Sequence, residues 1–129
     1  MKRFPPYAEL LGLTVAERRD GVPVLAMPFG DQVLGRPGFV HGGAIAGLLE
    51  MAAYAALDAA LDDEEGVRIK PINITVDFNR GGREHMTYAI GHVSRLGRRI
   101  ANVEATAWQA DPARPIARAR MNMMLLRNG

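Results

Sequence analysis

The chain has 129 residues, 48% of them hydrophobic and 23% charged, which suits one compact domain with a real core and excludes disordered and fibrous chains. It contains no cysteine, so disulfides, thiolate metal sites and a cysteine nucleophile are excluded together. The net charge is only +2, and all cations but Lys2 and Lys70 are arginine, so bulk charge does not argue for nucleic acid but leaves room for a local, phosphate-binding arginine patch.

Residues 1–129 are expected to form one α+β domain. The opening FPPYAELLGL reads as a short helical segment laid on the domain, and TVAERRDGVPVLAMPF as a hairpin turning at Asp20-Gly21, with strands near Leu13 to Arg18 and Val22 to Pro28. From Gly30 to Gly43 the run GDQVLGRPGFVHGG is rich in Gly and Pro without a period, a loop long enough to position something. Ala44 to Leu61 is the best helix: Ala- and Leu-rich, free of Pro, and apolar nearly all round, as expected where a sheet wraps it. Asp62 to Gly66 breaks it. IKPINITVDFN, MTYAIGHVSR, RIANVEATAWQ and PIARARMNMMLL follow as four strands of an antiparallel meander. The apolar segment is interrupted by Glu50, Tyr54 and Asp58 before it reaches bilayer length, and the N-terminus lacks the apolar stretch of a secretory leader, so no membrane span and a cytoplasmic location are expected.

Chemistry concentrates at the start and middle of the long helix. Glu50, Tyr54 and Asp58 recur every four residues and share a stripe. A carboxylate such as Glu50, between Leu49 and Met51, must be paired or put to use, whereas Asp58 near the end is expected to reach solvent. His41-Gly42-Gly43 stands where loop becomes helix, and there backbone N–H groups and the helix dipole suit a developing oxyanion. Gly42 and Glu50 lie about 12 Å apart along a helix rising ~1.5 Å per residue, too far to meet at one reacting group, so a complete site would draw on two chains. Arg95, Arg98 and Arg99 cluster in SRLGRR, with Arg80 and Arg83 on another loop. Phosphate recognition by guanidinium is the expected role. Low aromatic content and the lack of a recognition helix argue against nucleic acid. His85 and His92 sit at no metal-ligand spacing, so no metal is expected, and Trp108, Met121, Met123 and Met124 are expected to pack in the sheet.

HGG, the acid eight residues past Gly42, DFNRGG and HVSRLGRR together resemble the hotdog-fold acyl-CoA thioesterases, and the phenylacetate-degradation (PaaI-like) branch of the 4-hydroxybenzoyl-CoA thioesterase superfamily in particular. The resemblance runs from about Gly30 to the C-terminus. It implies a long central helix wrapped by an antiparallel sheet, and hydrolysis of a thioester with coenzyme A as part of the substrate and no other cofactor. It makes Gly42 or Gly43 the oxyanion-hole amide, His41 the loop histidine, and Glu50 the general base or nucleophile. Arg80 stands where the family often has an Arg before a Pro, and the SRLGRR turn matches its R-x-G-R hairpin, so Arg80, Arg95, Arg98 and Arg99 are expected to bind the substrate, and Phe39, Met51 and Tyr54 could line an acyl pocket. It also implies a homodimer or dimer of dimers with the site at the interface. Two positions depart from the pattern: Gly35 replaces an Asn or Gln, with Gln32 the nearest substitute, and Lys70 or Pro71 replaces a strand Ser or Thr, with Asn73 and Thr75 nearby. A hotdog dehydratase or hydratase is a rival reading, weakened because Leu34, Gly35 and Arg36 occupy the region where that type carries its histidine. A non-catalytic acyl-CoA binding module is another.

Overall fold

The computed structural model describes residues 4–62, 64 and 66–127. Lys2 and the extreme N-terminus lie outside them, as do Asp63 and Glu65 of the helix-breaking segment. The chain forms a short helix α1 (Pro6–Leu10), strands β1 (Thr14–Arg19) and β2 (Val22–Met27), a long helix α2 (Gly42–Leu61), then β3 (Val67–Phe78), β4 (Thr87–Leu96), β5 (Ile100–Trp108) and β6 (Ala117–Arg127). The expected hairpin is present. Asp20 and Gly21 both take positive φ, 51° and 80°, the geometry of a two-residue turn that matches strand twist.

The six strands make one antiparallel sheet in the order β1-β2-β4-β5-β6-β3, and α2 packs across it in the α+β arrangement of the hotdog fold. This corrects the expectation of a four-strand meander. β4, β5 and β6 are consecutive neighbours, but β3 crosses to the far edge and pairs with β6 from Val67↔Arg127 to Phe78↔Ala117. The reason is in β3 itself. It carries Pro71, which cannot donate to a ladder, and the register shifts between Pro71 and Asn73, features a sheet tolerates at an edge. Its side chains are exposed or only half-buried throughout.

β4 takes the central place because it is thin. Ala89 and Gly91 are buried against α2, and a Cβ on Gly91 would stand 2.4 Å from the Ala52 carbonyl oxygen and 2.8 Å from the Ala56 methyl. Ala52, Ala53, Ala55 and Ala56 on the helix, and Ala101, Ala105, Ala107, Ala117 and Ala119 on the strands, extend this small-residue contact. Larger side chains fill its margins: Leu25, Met27, Leu48, Leu49, Leu57, Met121 and Met123 are all fully buried. Trp108 is buried too, while Met124 points outward.

With 20 residues and a largely apolar composition, α2 is long enough to span a bilayer, contrary to the sequence expectation, yet it is the core helix and mostly buried by the sheet. Its remaining stripe, through Glu50, Tyr54 and Asp58, is half-buried, so Asp58 is less exposed than expected. α1 covers the stripe's start: Tyr7 lies so close to Gly47 that a Cβ there would meet its ring at 2.7 Å. On the sheet's outer face the Asn102 amide donates to Asn122, and Asn122 donates to Asn73 at 2.9 Å, along rungs where the three are direct partners.

Gly91→Ala is expected to destabilise the fold by about 1–3 kcal/mol, the usual range for overpacking a core, since the atom it would strike is backbone. Urea unfolding followed by circular dichroism measures it.

Candidate active site at the entrance to the long helix

The loop expected between Gly30 and Gly43 is more ordered than its composition suggests. A single 3-10 turn spans Asp31–Val33, and Leu34 and Val40 form an antiparallel bridge. Between them the Gly35 N–H donates to the Phe39 carbonyl (2.9 Å) and the Phe39 N–H to the Arg36 carbonyl (2.9 Å). Pro37 and Gly38, the latter at φ 83°, are the central residues of that turn, the pairing a type II turn selects. The miniature hairpin is fastened at its base by the His41 N–H to Val33 O (2.7 Å) and the Val40 N–H to Gly82 O (2.9 Å).

His41 is the N-cap of α2. Its Nδ1 accepts a hydrogen bond from the Gly43 N–H at 2.8 Å, so Gly43's amide is occupied and the neutral ring carries its proton on Nε2. Gly43 must be glycine for this contact, because a Cβ would lie 2.9 Å from Nδ1. The Gly42 N–H, by contrast, has no acceptor among the described residues. Of the two glycines named from sequence, Gly42 is therefore the one whose amide stands ready for a ligand oxygen at the positive end of the helix.

Gly42 opens into a cleft of about 580 Å³ between the miniature hairpin and the segment that follows β3. Val40, Ile45 and Phe78 give it apolar walls, while His41, Asn79 and Arg80 supply polar groups. Arg80 is steadied by its Nε, which donates to the Pro115 carbonyl at 3.2 Å. Arg36 and Phe39 form another wall: the Arg36 guanidinium lies 3.9 Å from the centre of the Phe39 ring, and that of Arg83 lies 4.3 Å from it. The ring fits there because Gly81 lacks a side chain, since a Cβ would come within 2.8 Å of it. No carboxylate lines the cleft, and none of these arginines is in an ion pair among the described residues.

The structure thus brings together His41, Gly42, Phe39 and Arg80 of the residues named from sequence. It does not bring the others to them within one chain. Glu50 lies two helical turns along α2, half-buried, outside the cleft lining, and without a hydrogen-bond or ion-pair partner among the described residues. Tyr54, one turn further, has its phenol pKa raised by burial and then by the Asp58 carboxylate, which keeps it a proton-bearing donor.

Arg95, Arg98 and Arg99 lie at the opposite end of β5 from Arg80, roughly 23 Å away within one chain over the steps from Ile100 to Ala107 at ~3.3 Å each. There Arg127 pairs with Glu64 and donates to the Arg98 carbonyl. Gln32 lies outside the cleft lining, and the Asn73 side chain is engaged by Asn122. Sequence reasoning missed Arg36 as a site residue. The available signal was the tetrapeptide Arg36-Pro37-Gly38-Phe39, whose central pair folds its two ends side by side.

Replacing His41 by Ala is expected to cost about 1 kcal/mol of stability through loss of the cap, and His41→Asn to recover most of it, because Asn caps well while lacking Nε2. Thermal unfolding of the two variants checks the capping role apart from any chemistry.

Comparison with known proteins agrees with this geometry. Residues 37–116, more than half of the chain and including most of the cleft lining, match the family model described as the thioesterase superfamily. No curated protein matches the chain. Among solved structures, a Chromobacterium violaceum protein is 30% identical (TM-score 0.73; 96% of this chain and 85% of that one covered). A Ralstonia eutropha phenylacetic acid degradation-related protein is 21% identical (TM-score 0.78; 95% and 91%). A Bacillus halodurans protein solved with CoA is 20% identical (TM-score 0.82; 100% and 83%). On the strength of that match through its central portion, the chain belongs to the thioesterase superfamily.

Proposed function

We propose that the protein hydrolyses an acyl thioester of coenzyme A to the free acid and the thiol. The observation that carries this reading is the Gly42 N–H, without an acceptor among the described residues, at the positive end of α2 and beside a partly apolar cleft. A carbonyl oxygen placed there would gain a hydrogen bond and the helix dipole as negative charge develops on it. Glu50 is the group suited to act on the carbonyl carbon, either by taking a proton from water or by direct attack. In the first route the hydroxyl of the water bonds to the carbonyl carbon, the C–S bond breaks, and the proton taken by Glu50 goes to the departing sulfur. In the second the C–S bond breaks to leave an acyl–Glu50 anhydride and a thiolate, and a water molecule then cleaves the anhydride, giving the free acid and the proton that makes the thiolate a thiol. CoA in the Bacillus halodurans neighbour supports coenzyme A as the thiol carrier.

Gly42 and Glu50 on one helix lie about 12 Å apart, so the working site pairs Gly42 of one copy with Glu50 of a second. β3 supports such an association. It is a 12-residue edge strand without a neighbour on its outer side, with Ile72 and Phe78 46% and 56% exposed, and Phe78 borders the cleft. A long uncovered edge is a pairing surface. A second reading, a binding module without hydrolysis, is favoured by one observation: at Gly35 and Pro71 there is no side chain able to hold an attacking water.

Glu50→Gln is expected to lower kcat by ~10² to 10⁴ with KM little changed, as for loss of a general base. Hydrolysis of a panel of aryl, short-chain and long-chain acyl-CoAs measures it, and near-wild-type turnover by the folded variant removes Glu50 from the chemistry. The wild type is expected to run as a dimer or a dimer of dimers in light scattering at low micromolar concentration. An active monomer would rule out the shared site.

A further inference from the structure

Arg36, Phe39 and Arg83 form a prebuilt anion clamp that the hydrolytic reading leaves without a role. Both guanidiniums lie against one aromatic ring, 3.9 Å and 4.3 Å from its centre, an arrangement that restrains them while leaving their N–H edges available. Each is fixed from behind. Arg36 and Phe39 are the two ends of the Pro37-Gly38 turn. Arg83 is held through its backbone by Gln109, whose Oε1 accepts from the Arg83 N–H at 2.9 Å and whose Nε2 donates to the Arg83 carbonyl at 3.0 Å. The same Nε2 lies within hydrogen-bond distance of the His85 carbonyl and the Thr87 hydroxyl, tying the segment to β4.

Two guanidiniums held in place lose little freedom when they bind an oxyanion, and their forked donors match phosphate oxygens. Arg80 lines the same cleft as Arg36, and a second cleft of about 350 Å³ shares Arg80 and Gly81 with it and is lined further on by His85, Arg114 and the carboxylate-bearing Asp111. Three guanidiniums, those of Arg36, Arg80 and Arg83, therefore stand in or beside the Gly42 cleft, which no carboxylate lines, and this suits a ligand bearing more than one phosphate. The hairpin of Arg95, Arg98 and Arg99 lacks this construction: among the described residues no aromatic ring lies beneath it, and the neighbouring Arg127 is already paired with Glu64.

We infer that Arg36 and Arg83, seated on Phe39, hold the phosphates of the coenzyme's nucleotide and set the preference for a coenzyme A thioester over a thioester without a nucleotide. This assignment rests on the thioesterase reading, but one arm of its test needs no hydrolysis. Adenosine 3′,5′-bisphosphate is titrated calorimetrically into the wild-type protein and into Arg36→Ala, Arg83→Ala and the Arg98→Ala/Arg99→Ala double variant, with thermal unfolding confirming that each is folded. The expected result is about a tenfold or greater loss of affinity for each clamp variant, the size of one lost charge-assisted hydrogen bond.

In the kinetic arm, the ratio of kcat/KM for an acyl-CoA to that for the matching N-acetylcysteamine thioester is expected to fall by a similar factor in the clamp variants. Wild-type bisphosphate affinity in the clamp variants overturns the assignment, as does a loss confined to the Arg98/Arg99 variant. A fall in activity only for acyl groups bearing a carboxylate also overturns it, by moving the clamp's anion from the coenzyme to the acyl chain. A wild type that binds the bisphosphate at the clamp but cleaves no thioester defeats the hydrolytic reading and leaves the phosphate site standing.

Discussion

The closeness of α2 to β4 is the constraint on which the rest of the fold depends. At Gly91 the sheet has no side chain, and the helix backbone at Ala52 fills the gap. Such an approach buries apolar surface efficiently and gives the helix little room to rotate or slide, because buried alanines of the helix and of β5 and β6 belong to one close-packed core. It also fixes which face of α2 is left over. The stripe of Glu50, Tyr54 and Asp58 stays half-buried because the opposite face is committed to the sheet, so carboxylates and a phenol can occupy an otherwise apolar helix.

The entrance to the helix is determined by similarly local means. His41 caps it, Val33 and Gly82 anchor the preceding turn, and missing side chains at Gly43 and Gly81 admit the His41 and Phe39 rings. The glycines of this region thus divide by task. Gly43 and Gly81 make room for neighbouring side chains, Gly38 supplies the turn's positive φ, and Gly42 opens the helix with an amide that has no acceptor among the described residues.

Much of the fold was legible because it was written in local chemistry. Asp20-Gly21 turns the first hairpin, and the alanine-rich run from Ala44 is the central helix, two residues longer at its start than the pattern suggested. The sheet order was not legible, because it rests on a comparison between strands: Pro71 and the register shift beside it suit β3 to an edge, and Gly91 lets β4 lie against the helix. Likewise the cleft could be read at His41 and Gly42, which are adjacent in sequence, but not at Arg36 and Arg83, which 47 positions separate and one aromatic ring brings together. The arginines of the β4–β5 turn resemble those of the cleft in sequence, and only the strand between them reveals that they occupy opposite ends of the sheet.

The bond from the Gly43 amide to His41 has one more consequence. A single imidazole is shared between the helix it begins and the cleft it borders, so the two ring nitrogens carry different obligations. Anything that draws on Nε2 alters the electron density at Nδ1, and with it the strength of the bond that closes the first turn of α2. The Gly43 N–H is therefore a natural spectroscopic probe: its resonance and its exchange with solvent register occupancy of a site that the amide itself does not touch.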